Sequence, residues 1–413
     1  MWHLMNCSAE HDCVVIGAGA AGIAAARVLA RAGRAVCVIE ARDRLGGRAF
    51  TQEVAGHPLD LGCGWLHSAD RNVLVPLASE SGFDIDREIP PWQKAPDERS
   101  FSREDHRAYR AEMGRFFARV HEEAAKGVDY PVSRLLDPDA RWTPLIEAMS
   151  TYVNGTETDR LSLVDFNAYE DTEVNVRVPA GYGALIQALA AGLDIRFNVQ
   201  AYRIDHASMP MRVETNRGTI TARTVIVTVP TSIIATGDLR FSPALSEHVE
   251  AASLLPLGVA DKLFLALDGA EEFDVDARIY GATDRAATAN YHVRPFGRPL
   301  IEAYFGGQCA RALEVGGLAA FADFAIQQLV DVMGSHFRSR LRPLVASGWA
   351  RDPFAQGSYS HALPGHAGAR ARLAEPVGRL FFAGEAVSPH FFSTAHGAWE
   401  SGEKAASGAL AEL

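Results

Sequence analysis

Asp12-Cys-Val-Val-Ile-Gly-Ala-Gly-Ala-Ala-Gly22 runs an apolar strand into three glycines at the G-x-G-x-x-G spacing, and an Ala-rich helical pattern follows to Ala32-Gly33. A second apolar run, Ala35-Val-Cys-Val-Ile39, ends in Glu40, 18 residues beyond Gly22. This order predicts a βαβ unit. Its helix N-terminus offers free N–H groups and a favourable dipole to a pyrophosphate, and the acid after the second strand reaches ribose hydroxyls. Gly17, Gly19, Gly22 and Glu40 therefore read as a dinucleotide site. A bare glycine triplet is a weak signal; strand, helix and acid at their proper distances make it a strong one.

Outward from this unit the pattern is discontinuous. Residues from about 85 to 175 are rich in charge and aromatics and read as mainly helical, with Pro-bearing loops between. From Gly181 to Pro230 short strands return, and the alternation on either side of Asn216-Arg-Gly218 predicts a β-meander. A last block from Trp349 carries GRLFFAGEA and another Ala-rich helix. With no repeat or low-complexity linker, the expectation is two interleaved domains, strand runs of the first and last blocks sharing one sheet.

With 413 residues, 48% hydrophobic and 22% charged, the chain is globular rather than disordered. Forty basic against 51 acidic residues leave a net charge of −11, a field that repels polyanions and argues against nucleic-acid binding. No apolar run approaches the length of a membrane-spanning helix. MWHLMNCSAEHD lacks the basic and apolar regions of a secretory signal, so it reads as a short frayed leader and the expected compartment is the cytoplasm. The five cysteines, Cys7, Cys13, Cys37, Cys63 and Cys309, form no C-x-x-C pair and are expected to be reduced core thiols. His361, His366, His390 and His396 show no metal-ligand spacing, so no metal is expected.

Directly after Glu40 comes Ala41-Arg-Asp-Arg-Leu-Gly-Gly-Arg48, where Gly46 and Gly47 let the backbone approach a phosphate and the arginines add charge-assisted donors. This signature resembles the flavin-dependent amine oxidases. The resemblance continues through Leu59-Asp-Leu-Gly-Cys-Gly-Trp-Leu-His67, Ile226-Val-Thr-Val-Pro230, Leu257-Gly-Val-Ala-Asp-Lys262, Trp349-Ala-Arg-Asp-Pro-Phe-Ala-Gln-Gly-Ser-Tyr359 and Leu380-Phe-Phe-Ala-Gly-Glu385, in family order across essentially the whole chain. It implies an α/β fold: a Rossmann-type FAD-binding domain (11–75, 178–236 and 346–413) interleaved with an α+β substrate-binding domain (76–177 and 237–345).

The resemblance also implies roles. Gly17, Gly19 and Gly22 would meet the FAD pyrophosphate, Glu40 the adenosine ribose, and Arg42 and Arg48 the phosphates. Gly62, Gly64 and Trp65 would run beside the flavin ring. Gly384 and Glu385 would meet the ribityl and diphosphate region, Thr394 and Ala395 the flavin pyrimidine at a helix start, and Ala201 the adenine. Trp349 would pack close to the flavin, Lys262 would hold a water that promotes reaction with dioxygen, and Tyr359 would form one wall of an aromatic cage around the amine. Thr394 stands where monoamine oxidases have the second wall, which implies a more open site. His67 matches the histidine of spermine oxidases and plant polyamine oxidases. Ser358 stands where monoamine oxidases carry the flavin-linking cysteine, so FAD is expected to be non-covalent.

The expected reaction takes a hydride from the carbon next to nitrogen of a small-molecule amine, a polyamine foremost, giving an imine, with dioxygen reduced to hydrogen peroxide. The alternatives are an oxidase of another amine or amino-acid-derived biosynthetic intermediate, a carbon–carbon desaturase, which Lys262 argues against, and a flavin-bearing scaffold with vestigial catalysis, which Lys262 and Tyr359 argue against. A distal substrate ammonium needs a carboxylate, for which Asp165, Glu170, Asp171 and Glu173 are the candidates.

Overall fold

The computed structural model describes residues 11–413; Cys7 and the first ten residues of the expected leader lie outside them, and its last two, His11 and Asp12, open the first strand. Strand His11–Ile16, helix Ala20–Arg31 and strand Val36–Ile39 form the expected βαβ unit, the two strands pairing in parallel from Cys13–Val36 to Ile16–Ile39. Alternate side chains of these strands enter two different cores. Val14, Ile16, Cys37 and Ile39 face one side, and Cys13, Val15 and Val38 face the Ala-rich helices Ala20–Arg31 and Ala395–Ala411. Burial on both faces is why the runs are continuously apolar.

Gly218–Val227 holds this eight-stranded sheet together. Along one edge it pairs with His11–Ile16; along the other its first half pairs with Met211–Thr215 and its last residues with Leu380–Phe382. First and last blocks thus share one sheet, with Gly218–Val227 between them. The meander Ala201–Asp205, Met211–Thr215 and Gly218–Val227 is antiparallel. Within the block where strands return, LDIRFNVQAYRID forms two of them, Ile195–Arg196 and Ala201–Asp205, which lie at different places in the sheet.

One expected boundary needs correction. Arg240–Ser242 adds in parallel to Ala201–Asp205, and Ala251, Ala252 and Leu255 pack in the same core as Val225 and Val227. Residues 240–255 therefore belong with the nucleotide-binding sheet and not with the second domain.

The second layer is a five-stranded sheet in the order Ala277–Tyr280, Asn290–Val293, Leu300–Gly306, Ala260–Leu267 and Leu341–Ala346. Its apolar face, including Leu263, Leu265, Ile279, Tyr291, Ile301, Ala303 and Phe305, packs on helix Gly307–Met333. The period of two sends Lys262, Glu302, Tyr304 and His292 to the other face. Helices Arg103–Ala124, Thr143–Asn154 and Leu163–Ala168 make the helical layer around Phe116, Trp142 and Leu163. Among the described residues no helix is long and apolar enough to cross a membrane. Burial pushes the thiols of Cys13 and Cys63 up to about 12 and that of Cys309 to about 11, as inert interior thiols require.

Candidate active site

Helix Ala20–Arg31 begins at Gly19 with no side-chain cap and no acid in its first turn, so its N–H groups are left for an external anion. Gly22 has to be glycine: a Cβ there would stand 1.9 Å from Gly17 O, closing the turn the helix emerges from. Gly46 bridges to Gly19, bringing the Gly46-Gly47 segment to the same place. A Cβ on Gly19 would meet only Gly46 O at 3.9 Å, and one on Gly384 nothing within 4 Å, so space lies open beside both. Glu40 is buried, its carboxylate accepting from Ala18 N at 2.8 Å and Arg42 N at 2.9 Å. Glu40→Ala is expected to lower the flavin content of the purified protein; a full flavin spectrum would remove the ribose assignment.

Arg42 and Arg48 of the second signature come to the site already paired with acids. Arg42 lies 2.5 Å from Asp352 and 3.6 Å from Glu40. Arg48 donates to Glu385 Oε1 and to Ser358 O, each at 2.8 Å. Burial works against the Glu385 carboxylate, but Arg48 and Arg370 outweigh it and hold it below the usual glutamate range. Glu385 also accepts from Ser360 Oγ at 2.7 Å and Ser393 N at 2.9 Å. A cavity lined by Arg48, Pro230, Thr231, Gly384 and Glu385 opens at the C-terminal ends of Gly218–Val227 and Leu380–Phe382, where open α/β sheets bind ligands. Ala201 opens its strand in the apolar core; Val199, two residues earlier, donates its N–H to Glu40 O and lies closer to the ribose acid.

Gly62 also has to be glycine, since a Cβ would fall 1.8 Å from Arg48 O and 3.2 Å from the Trp349 ring. Trp349 is buried, its Nε1–H donating to Leu61 O at 3.0 Å and its N–H to Asp261 Oδ1 at 3.2 Å. Two residues on, Gly64 faces Lys262: a Cβ there would stand 3.1 Å from Nζ. Trp65 packs edge-on against Trp92, with ring centroids 4.4 Å apart.

Lys262 is 6% exposed and its Nζ lies 2.9 Å from Glu302 Oε1. Burial opposes the ammonium, but Glu302 and then Asp60 outweigh that penalty, leaving its pKa above the ordinary lysine value. Asp60 is itself pushed up by burial, against the pull of Lys262.

Tyr359 donates its hydroxyl to Tyr152 O, and its oxygen lies 3.3 Å from that of Tyr304. Tyr304 also lies opposite Lys262 in the sheet, its ring centroid 6.0 Å from Nζ. Thr394, expected at the second wall, caps helix Ala395–Ala411: its Oγ1 accepts from Gly397 N at 3.0 Å and donates to Phe391 O at 2.6 Å. Its polar capacity goes to shaping the helix start. Ser358 is buried and spans the strand end, accepting from Ala260 N and donating to Ala260 O at 2.8 and 2.9 Å. A hydroxyl used as a strand partner offers no thiol for a flavin linkage.

His67 lies 2.6 Å, through Nδ1, from Asn175 Oδ1. The amide orientation follows from Asn175 Nδ2 donating to Glu173 O at 3.0 Å. Nδ1 therefore carries the proton and Nε2 is the acceptor. Burial lowers the His67 pKa, and the ring is neutral at pH 7.

The acidic candidates separate by environment. Asp165 is buried against Arg370, with Nε–Oδ1 2.6 Å and Nη2–Oδ2 2.8 Å, and is thereby withdrawn from substrate. Glu170 is exposed and pairs with Arg71 at 3.0 Å; Asp171 and Glu173 are exposed. Among the described residues no cluster of His, Cys, Asp or Glu could hold a metal.

Sequence reading did not foresee Asp261 and Glu314. Asp261 Oδ1 accepts from Ser347 Oγ and Trp349 N, and Glu314 Oε1 from Ala350 N. Their remaining oxygens are buried and face one another. Burial, then Glu314, pushes the Asp261 carboxyl well above its ordinary value. A folded pKa above the unfolded one contributes stability that is complete below the unfolded pKa and is lost as pH rises through the folded one. Asp261→Asn is expected to flatten that decline in Tm as pH rises above the ordinary aspartate range; parallel curves for variant and parent would exclude a contribution from Asp261.

An uncapped helix N-terminus, open space beside Gly19 and Gly384, a ribose acid and a buried lysine beside a glycine strip fit a dinucleotide redox cofactor. Comparison with known proteins identifies it. The family model described as flavin containing amine oxidoreductase matches residues 20–127 and 130–410, and the chain belongs to that family. It is a flavin-containing amine oxidoreductase.

Polyamine oxidase 4 of Oryza sativa subsp. japonica is 29% identical, over 97% of this chain and 89% of its own length. Polyamine oxidase 2 of Arabidopsis thaliana is 29% identical over 95% and 86%. Pseudooxynicotine dehydrogenase of Pseudomonas sp. is 26% identical over 97% and 86%. The fold matches that of wild-type putrescine oxidase bound to putrescine, at a TM-score of 0.78 and 20% identity over 98% of this chain and 99% of that one.

Proposed function

We propose that the substrate is an aliphatic polyamine, oxidised at a carbon–nitrogen bond with dioxygen as acceptor and hydrogen peroxide as product. The observation that carries this reading is His67: its proton is committed to Asn175, which leaves Nε2 as an acceptor beside Trp92, the ring that also packs on Trp65. A neutral amine brings an N–H to donate there. Full-length similarity to polyamine oxidases supports the same class.

Bound FAD supplies the hydride acceptor and passes electrons to oxygen. The remaining work falls to the protein. Gly17, Gly19, Gly22, Gly46 and Gly47 would admit the pyrophosphate, and Glu40 would take ribose hydroxyls. Gly62, Gly64 and Trp349 would line the flavin, and Arg48 with Glu385 would order the segment next to its ribityl chain. His67 would orient the amine so that its α-carbon faces the flavin, a positional contribution to rate. Tyr359 and Tyr304 would exclude water on one side. Lys262 would hold the water, and the positive charge, that favour oxygen reduction.

The test is a peroxide-coupled assay of the purified yellow protein on spermine, spermidine, their acetylated forms, putrescine, monoamines and amino acids. Turnover of polyamines alone is expected. Turnover confined to monoamines or amino acids would overturn the polyamine reading while leaving the amine oxidase class in place.

A further inference from the structure

The polar face of the five-stranded sheet holds a charged array beyond the groups assigned above. Lys262 lies opposite Tyr304, and Glu302, two residues back on that strand, reaches diagonally to its ammonium at 2.9 Å. Glu302 lies opposite His292, whose Nδ1 is 3.9 Å from Glu302 Oε2. On its far side His292 Nε2 is 2.7 Å from Asp276 Oδ1. Asp276 accepts two hydrogen bonds from Arg177, both at 2.8 Å, and Arg177 reaches Asp86 at 2.5 Å. Arg177 is clamped between the rings of Trp65 and Phe296, 4.8 and 4.1 Å from their centroids. Asp276 and Arg177 are 1% and 3% exposed, so this end of the array is a rigid anchor.

A lysine is a point charge on a flexible stem with no preferred geometry of its own. Buried beside Gly64, it stays at one place only if a partner of opposite charge is held there. We propose that Glu302 is the positioning residue of Lys262: backed by His292, Asp276 and Arg177, it holds the ammonium at a single point next to the glycine strip. The proposal rests on the reading of Lys262 as the group that promotes oxygen reduction. The charged and titratable groups around Nζ come from five segments: Asp60 and Cys63 from the one ending at Gly64, Glu302 and Tyr304 from one neighbouring strand, His292 from the next, and Arg177 and Arg298 from two segments across the cavity. Of these, Glu302 makes the direct ion pair.

The test is a pH titration of the visible spectrum of the oxidised holoenzyme, with oxygen reactivity followed in parallel by stopped flow. Loss of the Lys262 charge should give an alkaline inflection, absent in Lys262→Met. In Glu302→Gln that inflection, and the alkaline limb of the oxygen rate, are expected to move down by about 1–3 pH units, as loss of a close opposite charge requires. Glu302→Asp, which keeps the charge, should leave the inflection close to that of the parent. A purely structural role would lower Tm and flavin content in both variants and leave the inflection in place, which overturns the proposal. Should Glu302→Gln fail to hold flavin, His292→Gln carries the same test: a smaller shift in the same direction supports it and no shift overturns it. If Lys262→Met keeps both the inflection and the oxygen rate, the role of Lys262 falls instead.

Discussion

Lys262→Met is expected to slow reoxidation of the reduced enzyme by about a hundredfold or more, the scale on which a positioned proton-handling group contributes, with FAD still bound. The geometry explains both halves of this expectation. The ammonium lies beside Gly64, on the strip expected to follow the flavin ring, while the groups expected to hold FAD lie elsewhere, at the glycine turn, Glu40, Arg48 and Glu385. Methionine fills a similar volume but leaves the partly buried Glu302 without its cation, which destabilises the fold. The double variant Lys262→Met/Glu302→Gln removes that penalty. Its Tm should recover towards the parent while the oxygen rate stays low. Stopped-flow mixing of the reduced enzyme with oxygen decides the matter, and an unchanged rate constant in Lys262→Met would remove the assignment.

The second large effect is on stability. Asp165→Asn is expected to destabilise the fold by about 3–5 kcal/mol, because it leaves the Arg370 guanidinium buried and uncompensated. Arg370 also donates to Ser360 Oγ at 2.8 Å, and Ser360 Oγ donates to Glu385 Oε2 at 2.7 Å. The helical layer is thereby wired to the acid beside Gly384, and flavin should be lost more readily as well. Thermal melts with and without added FAD, alongside KM for the amine, separate this role from the substrate contact that the sequence suggested. A lowered Tm with KM unchanged is expected; an unchanged Tm with KM raised tenfold would return Asp165 to the substrate site.

The candidate site was legible in the sequence where chemistry depends on neighbours in the chain. The glycine turn, Glu40 and the Gly62-Cys63-Gly64-Trp65 strip each read from one short segment, because a backbone that must come within contact of a ligand or another chain segment excludes a Cβ locally. Thr394 read less well. Its place in the chain marked a missing cage wall and a more open site, and only the structure adds that its hydroxyl caps the helix that starts at Ala395. The acidic stretch from Asp165 to Glu173 offered four equivalent carboxylates, and only packing against Arg370 singles out Asp165 as buried.

By itself the sequence determined the βαβ unit, the return of the last block to the first sheet and the family, since each rests on local periodicity or on motifs read along the chain. Only the tertiary structure decided the surroundings of Lys262. Alternation in Leu300-Ile-Glu-Ala-Tyr-Phe-Gly306 puts Glu302 and Tyr304 on one face, but nothing in the segment says which strand it joins or in what register. The same holds for Asp261 with Glu314 and for His67 with Asn175, pairs 53 and 108 residues apart in the chain. Electrostatic partnership depends on distance through space, and that distance exists only once the sheets have paired and the helices have closed over them.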